Sequence, residues 1–130
     1  MKLIITALFI STLLTSCIST AKLTDFNQTN SSVNFDKLSE EFKLIKTPLW
    51  TLKTSNEYYF EIAISMEETN LVEIINYSLM SYNYHIAVCN PKNKCIIGKR
   101  GMTNNEWGSI TGVYYKINPN YIQVYLNTKI

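Results

Sequence analysis

Residues 58–100 read YYFEIAISMEETNLVEIINYSLMSYNYHIAVCNPKNKCIIGKR, and the changes of period inside this stretch decide the fold. From Tyr58 to Ser65 the side chains alternate. Tyr58, Phe60, Ile62 and Ile64 fall on one face, and Tyr59, Glu61, Ala63 and Ser65 on the other. A period of two with one apolar face predicts a half-buried strand. The period then lengthens: Leu71, Ile74, Ile75, Ser78, Leu79 and Tyr82 recur at helical spacing, with Glu67, Glu68 and Glu73 near the N-terminal end. Acids at that end complement the helix dipole, and the apolar stripe needs a surface to cover. Asn83 suits a left-handed exit. Period two returns in Tyr84, Ile86 and Val88. The pentapeptide Asn90-Pro91-Lys92-Asn93-Lys94 turns the chain, which comes back as Cys95-Ile96-Ile97.

Upstream, Leu38, Phe42 and Ile45 at i, i+4, i+7 predict a helix over 35–46, capped by Asn34 and ended by Pro48. Leu49 to Thr54 reads as a short strand. Downstream, strands at about Ile110–Ile117 and Tyr121–Asn127 are joined by the turn Asn118-Pro119-Asn120, with Ile122, Val124 and Leu126 on one face. The expected fold class is α+β: a small, mostly antiparallel sheet packed on one side by one or two helices, with a disulfide-closed β-hairpin.

The N-terminus says where such a domain works. Lys2 is followed by an apolar run from Leu3 to Leu14, and small residues then lead to Cys17. A charged start, a short h-region and a small-residue exit make a secretory signal, and the run is well short of the ~20 residues that span a bilayer. Leu14-Thr15-Ser16-Cys17 resembles a bacterial lipobox, in which the cysteine is acylated and the chain is cut before it. The alternative is an unlipidated protein cut after Ala21, since Ser19-Thr20-Ala21 is also a small-x-small exit. Acyl chains contribute about 0.8 kcal/mol per buried CH₂, so two or more anchor a protein stably. In enterobacterial lipoproteins an aspartate after the acylated cysteine favours the inner membrane. Ile18 stands there instead, so the resemblance implies anchoring in the outer membrane, facing the periplasm. The division expected is 1–16 signal peptide, 17–32 flexible tether (rich in Thr, Asn and Ser) and 33–130 a single α+β domain.

With Cys17 acylated, Cys89 and Cys95 remain as an even pair in an oxidising compartment. They flank a hairpin turn, and directly opposed residues of antiparallel strands lie within disulfide range, so a Cys89–Cys95 bond is expected. A metal site is not, because zinc wants two more ligands and the chain has one histidine.

Charge is unevenly spread. From Cys17 to Glu73 there are five lysines against nine acids, a balance of −4; from Ile74 to Ile130 six basic residues face Glu106 alone, a balance of +5. Such asymmetry marks either a docking surface or two solvated faces. Nucleic acid is not an expected partner of an exported chain. Lys92 and Lys94 in the hairpin loop, with Lys99 and Arg100 at the end of the return strand, form a candidate basic finger for a protein partner. Trp50, Trp107, Tyr114, Tyr115 and Tyr125 are candidate contact aromatics; the alternative is that both tryptophans are core, which is the expectation for Trp50 and is left open for Trp107.

Catalytic chemistry finds little to work with. His85 sits in a predicted strand, facing away from the apolar set. Glu57 and Glu61 share one strand face and read as solvent-face charge, since paired carboxylates normally flank a cleft. There is no phosphate-binding glycine loop, no Gly-x-Ser-x-Gly and no cluster of metal ligands. Neither an enzyme nor a cofactor is expected.

The order strand, helix, strand, hairpin, strand over Tyr59 to Arg100 resembles the small N-terminal modules of secretins and their relatives. Leu71, Ile74, Ile75 and Leu79 occupy the helix positions of that pattern, and Tyr84-His85-Ile86 opens its second strand. Asn83 stands where those modules usually carry glycine. Lipoproteins with such modules occur in the outer-membrane complexes of type IV secretion and conjugation systems and beside the secretins of type IVb pili. The resemblance implies a non-enzymatic assembly component whose partner is a secretin or secretion-channel subunit. The rival expectation is a lipid-anchored immunity protein or lysozyme-type inhibitor, its rigid loop plugging a toxin or hydrolase.

Overall fold

The computed structural model describes residues 21–44, 51–54, 56–101 and 108–130. Six strands form one antiparallel sheet: β1 (Thr51–Thr54), β2 (Glu57–Ile62), β3 (His85–Asn90), β4 (Cys95–Arg100), β5 (Ser109–Ile117) and β6 (Ile122–Lys129). Their order across the sheet is β1-β2-β6-β5-β4-β3. Strands β3 to β6 make a meander, and the last of them returns to pair with β2, Tyr59 opposite Tyr125 and Ile62 opposite Ile122. Among the described residues two α-helices accompany the sheet, α1 (Phe35–Leu44) and α2 (Glu68–Ser81). The α+β class and the antiparallel sheet are as the periodicity predicts.

Local signals hold where they rest on backbone chemistry. The Asn34 side chain accepts from the Lys37 amide at 3.1 Å, capping α1. Asn83 leaves α2 at φ 65°, and the Tyr84 amide reaches back to the Leu79 carbonyl at 3.0 Å. The amide of Asn118 donates to the Tyr121 carbonyl at 2.9 Å, closing the β5–β6 turn. Ile45 and Pro48, expected to end α1, lie outside the described residues, as do Leu49 and Trp50.

The helices do not share a side of the sheet as expected. Phe35 and Leu38 of α1 join Phe26, Tyr59, Cys95, Ile97, Ile110 and Tyr114 in one core; Leu71, Ile75 and Leu79 of α2 join Ile96, Val113, Tyr115, Ile122 and Val124 in another. The sheet is therefore the middle layer of three. This follows from β5, where Ser109 to Tyr115 are buried without alternation, so both faces of that strand have cover. The face given to solvent by Tyr59 and Glu61 is a core face: Tyr59 is 1% exposed and packs edge-to-face on Phe42 of α1, with ring centroids 5.7 Å apart.

What covers that second face, beside α1, is the stretch expected to be a tether. Residues 21–32 run along the sheet through two short 3₁₀ turns, Leu23–Asp25 and Asn30–Ser32. Phe26 is buried against Gly112, where a Cβ would stand 2.9 Å from its Cδ1. The Tyr114 hydroxyl donates to the Asn27 carbonyl at 2.6 Å, and Asn30 Nδ2 donates to the Tyr115 carbonyl at 3.0 Å. The domain thus starts by Ala21 rather than at 33. The segment reads as a spacer because its docking rests on Phe26 with Ala21 and Leu23, which follow no helical or strand period, and on hydrogen bonds of Asn27 and Asn30. Residues 1–20, with Cys17, lie outside the described part.

The disulfide-closed hairpin is not formed. Both Cys89 and Cys95 are free thiols, one exposed and the other buried. Register is the reason: Cys89 pairs with Ile96 and Asn90 with Cys95. Opposed residues share a face and neighbours do not, so the two sulfurs lie on opposite sides of the sheet. A four-residue turn, 91–94, sets this register, closed by Lys94 in the left-handed region at φ 57°. A bulge between Ile86 and Val88 has a parallel effect on β3: Ile86 packs with the α2 core and Val88 with the α1 core, against the expectation of one face.

Candidate interaction surface

Helix α2 is the crossover that carries the chain from β2 to the far edge of the sheet, and it settles over β3 and β4. Its inward residues Leu71, Ile75 and Leu79 lie at i, i+4, i+8 and form one stripe. Among the described residues, no helix lies over the strip of the same sheet face nearer β2 and β6. There Phe60, Ile62, Leu126 and Val124 form the floor of an open groove of about 250 Å³, with Ile74, Ser78 and Tyr82 of the α2 region as its wall. None of the described residues that line it is charged.

The wall continues outward as apolar surface. Ile64, Ile74, Tyr77, Met80 and Tyr82 are 46%, 50%, 77%, 61% and 69% exposed, so among the described residues five of the seven large exposed hydrophobics lie between 64 and 82. Concentration of this kind marks an interaction site, where scattered apolar residues would not. Two hydroxyls of the helix are satisfied within it: Ser78 Oγ donates to the Ile74 carbonyl at 2.8 Å and Ser81 Oγ to the Ser78 carbonyl at 2.7 Å. A hydroxyl bonded within its own helix can lose water at little cost, whereas an unmet one resists burial. The helical periodicity groups Ile74 and Tyr82 with the core stripe; Ile74 stands about 100° round the helix from Ile75, and Tyr82 is the C-cap residue beyond the last turn, so both are exposed.

The basic finger is dispersed. Lys92 is exposed at the hairpin tip, but Lys94 is tied to Glu68 at the start of α2 at 2.6 Å. Tyr115 Oη donates to the same carboxylate at 2.9 Å. The Lys94 hydrogen bond, helped by that of Tyr115, holds the Glu68 carboxyl below its ordinary value against the opposing pull of burial. Lys99 and Arg100 stand at the other end of β4, on opposite faces because they are neighbours in a strand. Arg100 lies over the Tyr84 ring at 4.8 Å from its centroid and donates to the Tyr82 carbonyl at 3.4 Å. The four cations make no single patch.

Of the candidate contact aromatics, Tyr114 and Tyr115 are core residues, 4% and 0% exposed, and Tyr125 is half-buried; Trp50 and Trp107 lie outside the described residues. Burial pushes the Tyr114 hydroxyl up to about 12 and the Cys95 thiol up to about 11, so neither ionises near neutrality. Glu57 and Glu61, read as solvent charges, are acceptors for tyrosines: Tyr125 donates to Glu57 at 2.5 Å and Tyr59 to Glu61 at 2.7 Å. Asp25 and Glu57 do share a cleft of about 260 Å³ under the N-terminal segment. Its phenol, Tyr125, is held protonated by burial and by its bond to Glu57, which makes it a fixed donor and no base. His85 is exposed on the edge strand β3, opposite Lys99. Among the described residues no three His, Cys, Asp or Glu side chains cluster as a metal site, and no helix is long and apolar enough to cross a membrane.

No family model, no curated protein and no solved structure matches this chain.

Proposed function

We propose that the protein is an outer-membrane lipoprotein, anchored through Cys17 and facing the periplasm, that serves as a non-enzymatic assembly component of a secretion, conjugation or type IV pilus complex. The observation that carries this reading is the uncharged apolar face made by α2 and the β2–β6 strip. Large exposed apolar surface is what an assembly subunit keeps for its neighbours. The docked segment 21–32 adds a constraint. At ~3.5 Å per residue, the four residues from Cys17 to Ala21 reach at most about 14 Å, so the domain is held close against the membrane.

The inhibitor reading drew its motive from a disulfide-stiffened basic loop. The hairpin has no such bond, and Lys94 is committed to Glu68. A mild-detergent pull-down of the tagged protein from its own membranes, beside a Cys17→Ser control, tests the proposal. A secretin or channel subunit recovered with the lipidated chain and lost with the control is the expected result. A single stoichiometric hydrolase or toxin in its place overturns it.

A further inference from the structure

The short link from Cys17 to Ala21 limits which end of the domain can meet the membrane. We infer that the end of the sheet bearing Lys22, Lys99 and Lys129 lies on the headgroups of anionic phospholipids; the inference deepens the proposed anchoring through Cys17 and rests on it.

The path of residues 21–32 gives the direction. Tyr114 of β5 donates to the Asn27 carbonyl, Asn30 donates to the Tyr115 carbonyl, and Lys129 donates to the Asp25 carbonyl at 3.0 Å. Lys129 lies opposite Ile110, near the start of β5. Followed backwards, the segment therefore runs towards the start of that strand, and Ala21 and Leu23 pack on the core that holds Ile97 and Ile110. Register fills this end with cations. Lys99 and Lys129 both lie opposite Ile110, and His85 lies opposite Lys99, so the three form one row on the face that residues 21–32 cover. Lys22, His85 and Lys99 are exposed. Arg100 adds a positive charge on the other face of the same end.

Pairing separates this end from the opposite one. Among the described residues Lys22, Lys99 and Lys129 pair with no carboxylate. At the other end Lys94 is tied to Glu68 and Lys116 faces Asp36 at 3.9 Å, with Lys92 exposed at the hairpin tip. Two described acids do stand near the Lys99 row, and both are engaged: Asp25 accepts from the Lys22 amide at 2.9 Å, and Glu57 accepts from Tyr125. Lys22, Lys99, Arg100 and Lys129 against these two leave a surplus of +2, and a carboxylate on Ile130 would still leave it positive. Lys53, at the end of β1, and Glu106, between β4 and β5 in sequence, add one charge of each sign. So small a surplus would not draw a free domain from solution. A tether of four residues already holds this one at the surface, where each cation favours contact by about fivefold and a few suffice to fix the orientation.

Depth quenching on the full lipidated chain, purified from its membranes and reconstituted in vesicles, tests this. A thiol-reactive fluorophore is placed at Ile130→Cys or at Lys92→Cys, each in a Cys89→Ala background, Cys95 being buried. The vesicles carry a quencher at headgroup level. With about a third phosphatidylglycerol in phosphatidylcholine, quenching at Ile130→Cys should exceed that at Lys92→Cys by at least about fivefold. Pure phosphatidylcholine, or Lys22→Glu together with Lys99→Glu, should lower that ratio at least about threefold, and added salt should do the same. Both lysines are exposed, so the double variant should unfold within a few degrees of the parent. A ratio near one in the anionic vesicles overturns the inference and leaves the anchor standing, as does a ratio that either neutral lipid or the double variant leaves unchanged. A chain whose mass shows no acyl group on Cys17 overturns both.

Discussion

Replacing Phe26 by alanine separates a docked N-terminal segment from a free tether, and the structure sets the size of the effect. The ring is 6% exposed, lies against the bare backbone of Gly112, and has the Lys129 ammonium 5.2 Å from its centroid. Truncating a buried phenylalanine in a deep core costs about 3–5 kcal/mol. Phe26 lies near one end of the described chain, where the lining can relax, so the expected loss is about 2–3 kcal/mol. For a domain of roughly a hundred residues that is a fall in Tm on the order of 10–20 °C. A point substitution is better than deleting 21–32, because deletion also removes the entropy cost of ordering those residues and the two terms offset. The assay is urea unfolding of a Cys17→Ser chain at pH 7, followed by far-UV circular dichroism. The m-value should stay near that of the parent. Tyr114, hydrogen-bonded to Asn27 in the same segment, should change its near-UV signal in the native baseline. A loss below about 0.5 kcal/mol, the size of an ordinary surface substitution, would refute the docking of this segment.

Gly112→Ala probes the same contact from the sheet side. Its new Cβ would stand 2.9 Å from Phe26 and 3.0 Å from Tyr114, and overpacking of this kind costs about 1–3 kcal/mol. The cost should shrink when Phe26→Ala is already present, and strictly additive losses would show that the two residues do not meet. For Glu68, folding lowers the carboxyl pKa. Its contribution is therefore present above the unfolded carboxylate range, near pH 4.3, and is lost as pH falls through the folded value. Glu68→Gln should cost under about 1 kcal/mol at pH 7, the pair being a third exposed. The difference from the parent should narrow as pH drops to about 3; a gap that stays constant with pH would contradict the ion pair. The thiols give a chemical test: Cys89 should react with a disulfide reagent in the native protein, and Cys95, buried with its thiol pushed up to about 11, only after unfolding. A native protein with no reactive thiol, and a mass short by two hydrogens, would show the bond that the register forbids.

The sequence by itself determined whatever depends on neighbours along the chain. The period of two from Tyr58, the helical spacing from Leu71, the Asn34 cap, the left-handed Asn83 and the Asn118-Pro119-Asn120 turn are local steric and hydrogen-bonding facts, and each stands in the structure. Tertiary structure decided the matters that depend on parity and on which face meets which. One residue of turn length moved Cys89 and Cys95 to opposite sides of the sheet, because strand side chains change face at every step. The bulge between Ile86 and Val88 split a run that pattern alone assigned to one core. Whether Tyr59 faced water or a helix hung on where α1 and residues 21–32 came to rest, and alternation cannot report cover supplied by distant chain. The candidate surface was decided in the same way. Ile74 and Tyr82 carry the same hydrophobic signal as Leu71 and Leu79, and only the seating of α2 over one half of the sheet leaves the first pair exposed and buries the second.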